Sequence, residues 1–85
     1  TFLVGFAAET SEIETHAREK LVRKHLDAIA VNDVSVEGSG FGRGPSDLVL
    51  LWPGGGRADL GHASKPELAA RLWDALLRVR AETTT

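Results

Sequence analysis

The N-terminal part of the chain reads as a strand, a helix and a second strand, and this order constrains the fold more than any other feature. Residues 2–6 form a short apolar run, and residues 27–31 form another. Between them, over about residues 12–25, apolar residues recur with helical spacing. Short apolar runs of this kind are typical of strands buried on both faces of a parallel sheet. The pattern predicts a βαβ unit with a right-handed crossover.

Serine and glutamate three residues apart mark the start of both predicted helices. Ser11 with Glu14 and Ser64 with Glu67 each match a capping box, in which the two residues satisfy one another's free backbone N–H groups. The second helix is predicted to end near Ala81 and to close the core with a broad apolar stripe. The stripe comprises Leu68, Ala69, Leu72, Trp73, Leu76 and Leu77.

Two apolar segments between the helices flank the sequence PGGG. Residues 47–52 and 57–60 are predicted to form a β-hairpin, with the glycines serving the turn. The sequence GSGFGRG at 38–44 is predicted to be a surface loop, or alternatively a loop that folds over a ligand through Phe41 and Arg43. The fold class is therefore α/β: a Rossmann-like βαβ unit followed by a β-hairpin and a C-terminal helix, within a larger three-layer α/β domain.

Composition restricts the kinds of site that the chain can form. The 85 residues include no cysteine, which excludes disulfides, thiolate catalysis and cysteine-ligated zinc, and the three histidines lack metal-ligand spacing. A formal net charge of -2 provides no overall attraction to nucleic acid or to an anionic membrane. We expect neither as a partner, no metal site, and a cytoplasmic location. Because the chain opens at Thr1 directly on strand-like residues, we interpret it as a piece of a longer protein.

Lys20 and Lys24 lie one turn apart on the first predicted helix, at the margin of the inward face that begins at Ile13. An ammonium group beside apolar surface is costly unless it reaches water or meets an anion. Two alternatives follow. The ammonium groups reach solvent or pair with Glu9 or Asp33, or they bind an anionic ligand as point charges suited to phosphate oxygens.

Polar residues follow both strands of the predicted βαβ unit, as AAET at 7–10 and NDVS at 32–35. In open α/β sheets, ligands bind beyond the carboxyl ends of the strands. Asn32 and Asp33 therefore either orient a substrate or shape the turn. No residue is singled out as catalytic, because no triad and no acid/base pair can be assembled from the sequence.

Several segments, taken in order, resemble the C-terminal half of phosphopantothenoylcysteine synthetase, which is usually the second domain of a bifunctional coenzyme A biosynthesis flavoprotein. The resemblance covers about residues 3–77 and implies that residues 1–85 are the C-terminal half of that synthetase domain. The matching segments are LVGFAAET, KLVRKHLD, AIAVNDVS, the GF at 40–41 and SKPELAARLWD.

The resemblance implies a ligase that uses CTP to activate the carboxylate of 4'-phosphopantothenate as an acyl-cytidylate, which cysteine then attacks. The family's nucleotide contacts from GFAAET and from the KxxxK helix end match Phe6, Lys20 and Lys24. The resemblance further implies Mg²⁺ with the nucleotide, a homodimer, and FMN only in a decarboxylase domain that these residues do not include. The family's N-terminal part, with its glycine-rich turn and lid lysine, is likewise not included, so the segment alone is predicted to be inactive.

A second function stays open beside the ligase. The hairpin of residues 47–60 and the closing helix would provide the surface of a non-catalytic oligomerisation module, since an exposed hairpin strand can extend the sheet of a partner.

Overall fold

The structure, a computed structural model, describes residues 2–9, 11–33 and 46–83. These residues form a four-stranded mixed sheet in the order β1-β2-β3-β4, in which β1 and β2 are parallel and the other neighbours are antiparallel. The elements are β1 (Val4–Glu9), α1 (Ile13–Arg23), β2 (Ala28–Asp33), β3 (Ser46–Trp52), β4 (Gly56–Ala63) and α2 (Lys65–Thr83). The predicted α/β fold, with a βαβ unit followed by a hairpin and a C-terminal helix, is confirmed.

The two helices cover opposite faces of the sheet. Residues 28–31 of β2 are all buried, and they alternate between two apolar clusters. Ile29 and Val31 pack with residues of α1, whereas Ala28 and Ala30 pack with residues of α2. This confirms that β2 is covered on both faces, as its continuous apolar run predicted.

The predicted capping box at the start of α1 is wrong. Glu12 is the N-cap residue, has a left-handed backbone (φ 44°) and makes no side-chain capping hydrogen bond. Because the backbone turns at Glu12, Ser11 stands one residue too early to cap the helix. Glu14 instead binds two arginines, Arg18 and Arg57.

The N-cap role of Ser64 in α2 is confirmed. Its side-chain oxygen accepts a hydrogen bond from the Glu67 N–H at 3.4 Å, and its carbonyl accepts one from the Leu68 N–H at 2.9 Å. The Glu67 carboxylate does not bind the Ser64 backbone N–H, as a capping box requires. It accepts a hydrogen bond from Arg71, one turn along the helix, at 3.3 Å.

The apolar stripe of α2 is narrower than predicted. Trp73 and Leu77 keep 64% and 48% of their surface exposed, and Ala69 is exposed as well. The helix packs on β3 and β4, so the flank that carries these three residues turns away from the sheet core. The residues that do pack inward are Leu68, Leu72, Ala75, Leu76 and Val79.

The β3–β4 hairpin turns through residues 53–55, as PGGG predicted, and Gly54 and Gly55 have φ values of 85° and 84° that favour glycine. Arg18 of α1 binds the two strand ends that flank this turn. Its guanidinium donates to the Trp52 carbonyl at 3.3 Å and to the Gly56 carbonyl at 3.0 Å. The predicted 38–44 loop lies outside the described residues.

Within the ranges that the structure describes, neither helix is long and apolar enough to cross a membrane.

Candidate functional site

The carboxyl ends of β1 and β2 lie side by side, with Ala8 paired to Asn32 and Glu9 paired to Asp33. Side chains alternate between the two faces of a strand, so this edge of the sheet has two sides. The α1 side receives Glu9, which contacts α1 through Lys20. The α2 side receives Phe6 and Ala8, which line a cavity shared with α2.

On the α1 side, the Glu9 carboxylate is held by two cationic or ionisable groups of α1. Its Oε2 accepts a hydrogen bond from Lys20 Nζ at 2.5 Å, and its Oε1 lies 3.3 Å from His16 Nδ1. Only 12% of the Glu9 side chain is exposed. The hydrogen bond from Lys20 is the main reason why the pKa of Glu9 lies below its ordinary value, and burial opposes the shift.

The two predicted lysines have different surroundings. Lys20 takes the first alternative, because it pairs with Glu9 and keeps 34% of its side chain exposed. Lys24 is the exposed C-cap residue of α1, and its ammonium has no ion-pair partner in the described parts of the chain. The prediction that both lie at the margin of the buried face therefore holds for Lys20, while Lys24 stands further out.

On the α2 side, β1, β2 and the start of α2 line an open cavity of about 540 Å³. Small-molecule sites commonly span about 300–1,000 Å³ and combine apolar walls with a few polar groups. Phe6 forms one wall and keeps 72% of its surface exposed. The lining residues are Phe6, Ala7, Ala8, Ala30, Asn32, Leu48, Lys65, Leu68 and Ala69.

Asn32 contributes an unsatisfied polar atom to this cavity. Its Oδ1 is buried, and no residue that the structure describes gives that oxygen a hydrogen bond. Leaving a buried acceptor unpaired costs about 1–3 kcal/mol, so such atoms usually meet a ligand or an ordered water. The two roles left open for Asn32, orienting a substrate and shaping the turn, stay predictions.

Asp33 belongs to the α1 side, where it lines a separate cavity with Asp47 and His62. His62 Nδ1 lies 3.1 Å from Asp47 Oδ1. In residues 2–9, 11–33 and 46–83, no group of three or more histidine and acidic side chains is arranged to hold a metal ion.

The three residues predicted to contact a nucleotide do not lie together. Lys24 ends α1, which runs back from the carboxyl end of β1 towards the start of β2. Phe6 lies on the α2 side and Lys20 on the α1 side, with Lys24 one turn further along α1. The sequence interpretation missed Lys65, which brings a cation to the cavity from the first turn of α2.

A scan against family models matches residues 1–79 to the family described as DNA/pantothenate metabolism flavoprotein C-terminal domain. Among curated relatives, the Coenzyme A biosynthesis bifunctional protein CoaBC of Vibrio cholerae is 52% identical over 69 residues, which is 81% of this chain and 17% of the relative. The protein of the same name from Bacillus subtilis is 37% identical over 81 residues, or 95% of this chain and 20% of the relative. The chain thus spans about a fifth of these relatives.

Among solved structures, the crystal structure of the C-terminal domain of Coenzyme A biosynthesis bifunctional protein CoaBC superimposes with a TM-score of 0.75. Its sequence is 27% identical, and the match covers 96% of this chain and 39% of that chain.

Proposed function

Because the chain belongs to the DNA/pantothenate metabolism flavoprotein C-terminal domain family, we propose that it forms part of the CTP site of a ligase in coenzyme A biosynthesis. The reaction couples 4'-phosphopantothenate to cysteine. The substrate carboxylate attacks the α-phosphorus of CTP and expels pyrophosphate, and the amine of cysteine then attacks the acyl-cytidylate and expels CMP. The observation that supports the proposal is at β1, where Lys20 contacts the last residue, Glu9, on one face of the sheet and Phe6 lines a cavity on the other.

The two lysines are assigned to the triphosphate. An ammonium group acts on phosphate oxygens as a point charge with three N–H donors. Among the residues that the structure describes, Lys20 uses one donor on Glu9 and has two left for a phosphate, and no described residue pairs with the Lys24 ammonium. Positive charge at this position stabilises the negative charge that develops on the leaving pyrophosphate.

Phe6 and the cavity behind it are assigned to an apolar or planar part of a substrate. An aromatic ring with 72% of its surface exposed is ready to contact a flat ring or an alkyl chain. A ligand N–H or O–H group at the back of the cavity would satisfy Asn32 Oδ1. The nucleotide and 4'-phosphopantothenate both carry such donors.

The proposal assigns neither a metal-binding site built from protein ligands nor a flavin-binding site to this chain. Mg²⁺ usually keeps several waters and binds through substrate phosphates, so the proposal assigns it to the triphosphate of CTP. FMN is assigned to the decarboxylase domain that accompanies the synthetase in bifunctional proteins. The homodimer, like the substrates, is part of the proposal for the whole protein.

The alternative function, an oligomerisation module, is less favoured than the ligase because of the irregular geometry of the hairpin. Gly61 of β4 has a φ of 85°, and its N–H binds Asp59 Oδ1 at 2.9 Å, so a backbone donor of this strand is already paired. The β3–β4 register also shifts between Leu48 and Val49. Irregular edges of this kind resist pairing with another strand.

The test uses a chimera in which this chain replaces the matching segment of the Vibrio cholerae relative. Lys24→Ala is expected to raise the KM for CTP by about tenfold or more, because a hydrogen bond to a charged group contributes about 1.5–3 kcal/mol. The matched control is Arg23→Ala, which removes an exposed cation from the preceding residue. Unchanged CTP kinetics in Lys24→Ala, or an equal loss in Arg23→Ala, would contradict the assignment.

A further inference from the structure

Glu9 is a mostly buried carboxylate at the proposed nucleotide site, yet the ligase chemistry uses it neither as an acid nor as a base. We propose that Glu9 is a positioning residue: its carboxylate fixes the Lys20 ammonium at the carboxyl edge of β1, where that ammonium binds the triphosphate. This inference rests on the proposed function and assigns a separate role within the same site.

The geometry restrains Lys20 from both ends. Its backbone belongs to α1, which is anchored on the sheet by the buried side chains of Ala17 and Leu21. Its ammonium is anchored by Glu9 Oε2 at 2.5 Å. A lysine side chain loses considerable rotamer entropy when it binds a ligand. The Lys20 side chain is already ordered by Glu9 before a nucleotide binds, so binding costs it less rotamer entropy.

The carboxylate is itself held in place. Glu9 is the last residue of β1, and its second oxygen lies 3.3 Å from His16 Nδ1. His16 stands one turn before Lys20 on α1, and its Nε2 lies 3.9 Å from Glu12 Oε2. The groups that face the Glu9 carboxylate are therefore Lys20 and His16 of α1. Glu12 is an acidic neighbour of His16.

A competing interpretation is that Glu9 blocks Lys20 and must release it before a phosphate can bind. Release would leave a carboxylate that is only 12% exposed without its cationic partner. Breaking a partly buried pair in this way is unfavourable, because the carboxylate loses its charged partner without full access to water. Since Lys20 has two further N–H donors and 34% exposure, contact with Glu9 and a phosphate at the same time avoids that cost. Positioning therefore agrees better with the structure than blocking.

Lys24 provides the internal comparison, because it has no ion-pair partner among the described residues. If Glu9 acts through Lys20, the effect of changing Glu9 depends on Lys20 and not on Lys24. A double-mutant cycle measures this dependence directly.

The experiment measures the KM for CTP and the kcat in the Vibrio cholerae chimera described above. Glu9→Gln keeps the shape and an acceptor oxygen but removes the charge. It is expected to raise the KM about fivefold, within the coupling range of residues in contact, and to leave kcat within about twofold. In a Lys20→Met background Glu9→Gln is expected to add nothing, whereas in a Lys24→Ala background it is expected to add its full effect.

Three results would overturn the inference. In the first, Glu9→Gln raises the KM equally with and without Lys20, which would make Glu9 a purely structural residue. In the second, Glu9→Gln lowers the KM, which would show that it blocks Lys20. In the third, Lys20→Met raises the KM while Glu9→Gln does not; the proposed function then stands and only the positioning role is lost.

Failure of the proposed function gives a different result. If Lys20→Met leaves the KM for CTP unchanged, Lys20 does not bind the nucleotide and nothing remains for Glu9 to position. His16→Gln serves as a second variant should Glu9→Gln not fold, since His16 is 41% exposed and contacts Glu9 through Oε1, the oxygen that Lys20 does not bind. Its effect on the KM is expected to be smaller, in the same direction, and absent in the Lys20→Met background.

Discussion

Arg18 ties α1 to the β3–β4 hairpin, and Arg18→Met tests how much this contact stabilises the fold. The guanidinium donates to two backbone carbonyls, of Trp52 at 3.3 Å and of Gly56 at 3.0 Å, and also to Glu14 on its own helix. The methionine keeps much of the alkyl stem and a similar helix propensity. The change therefore removes mainly the charge and the three hydrogen bonds.

The expected loss follows from these contacts. A hydrogen bond to a charged group contributes about 1.5–3 kcal/mol when shielded from water. The Arg18 side chain is 29% exposed, so we assign the lower end of this range to its hydrogen bond with the Gly56 carbonyl. The hydrogen bond to the Trp52 carbonyl is longer, at 3.3 Å, and is assigned a smaller contribution. The pair with Glu14 is an exposed i,i+4 pair and adds about 0.3–0.5 kcal/mol. The free energy of unfolding should fall by about 2 kcal/mol, which lowers the Tm by about 8–16 °C in a chain of this size.

Urea unfolding of the 85-residue chain, followed by far-UV circular dichroism, measures this loss. The matched control is Arg23→Met, which removes an exposed arginine from the same helix. Surface changes of that kind usually alter stability by less than about 0.5 kcal/mol. If Arg18→Met behaves like the control, the guanidinium does not hold the hairpin and our account of how α1 and the hairpin are joined is wrong.

Two further predictions concern the polar groups at the site. Asn32→Leu should leave the free energy of unfolding of the ligand-free chain unchanged or raise it by up to about 1 kcal/mol, because it removes a buried acceptor that has no partner among the described residues. A clear fall in the free energy of unfolding, measured with urea, would show that the amide is satisfied within the fold. The depressed pKa of Glu9 means that its carboxylate stabilises the fold above the ordinary value of 4.5, and that this stabilisation disappears as the pH falls through the lower folded pKa. The stability difference between the unchanged chain and Glu9→Gln should accordingly be constant near neutral pH and vanish in acid, and a difference that persists in acid would refute this origin.

The architecture was largely predictable because its signals are local. The apolar runs of β1 and β2, the helical spacing between them and the PGGG turn each depend on neighbouring residues, and all appear in the structure. The start of α1 was not predictable in the same way. Its left-handed N-cap at Glu12 depends on how the chain leaves the sheet edge, which no capping motif records.

The site was predictable only in part. Helical spacing placed Lys20 at the margin of the buried face, and the pair with Glu9 was one of the alternatives. The period of two along β1 separates Phe6 from Glu9 onto opposite faces, but the cavity beside Phe6 depends on where α2 lies across the sheet. That placement follows from tertiary packing, so neither the cavity nor the contribution of Lys65 could be inferred from a pattern in the sequence.

The central claim, that the triphosphate of a nucleotide binds at the carboxyl edge of β1, is tested most directly by titrating CTP into the Vibrio cholerae chimera in which only this chain carries ¹⁵N, and by following the backbone amide resonances. The account predicts saturable shifts at residues 5–9 and 20–24, with little change at residues 71–82 on the far part of α2. Cytidine, which lacks the phosphates, should leave residues 20–24 unshifted. If CTP leaves both segments unshifted, or shifts residues throughout the chain alike, the nucleotide site does not lie where we place it.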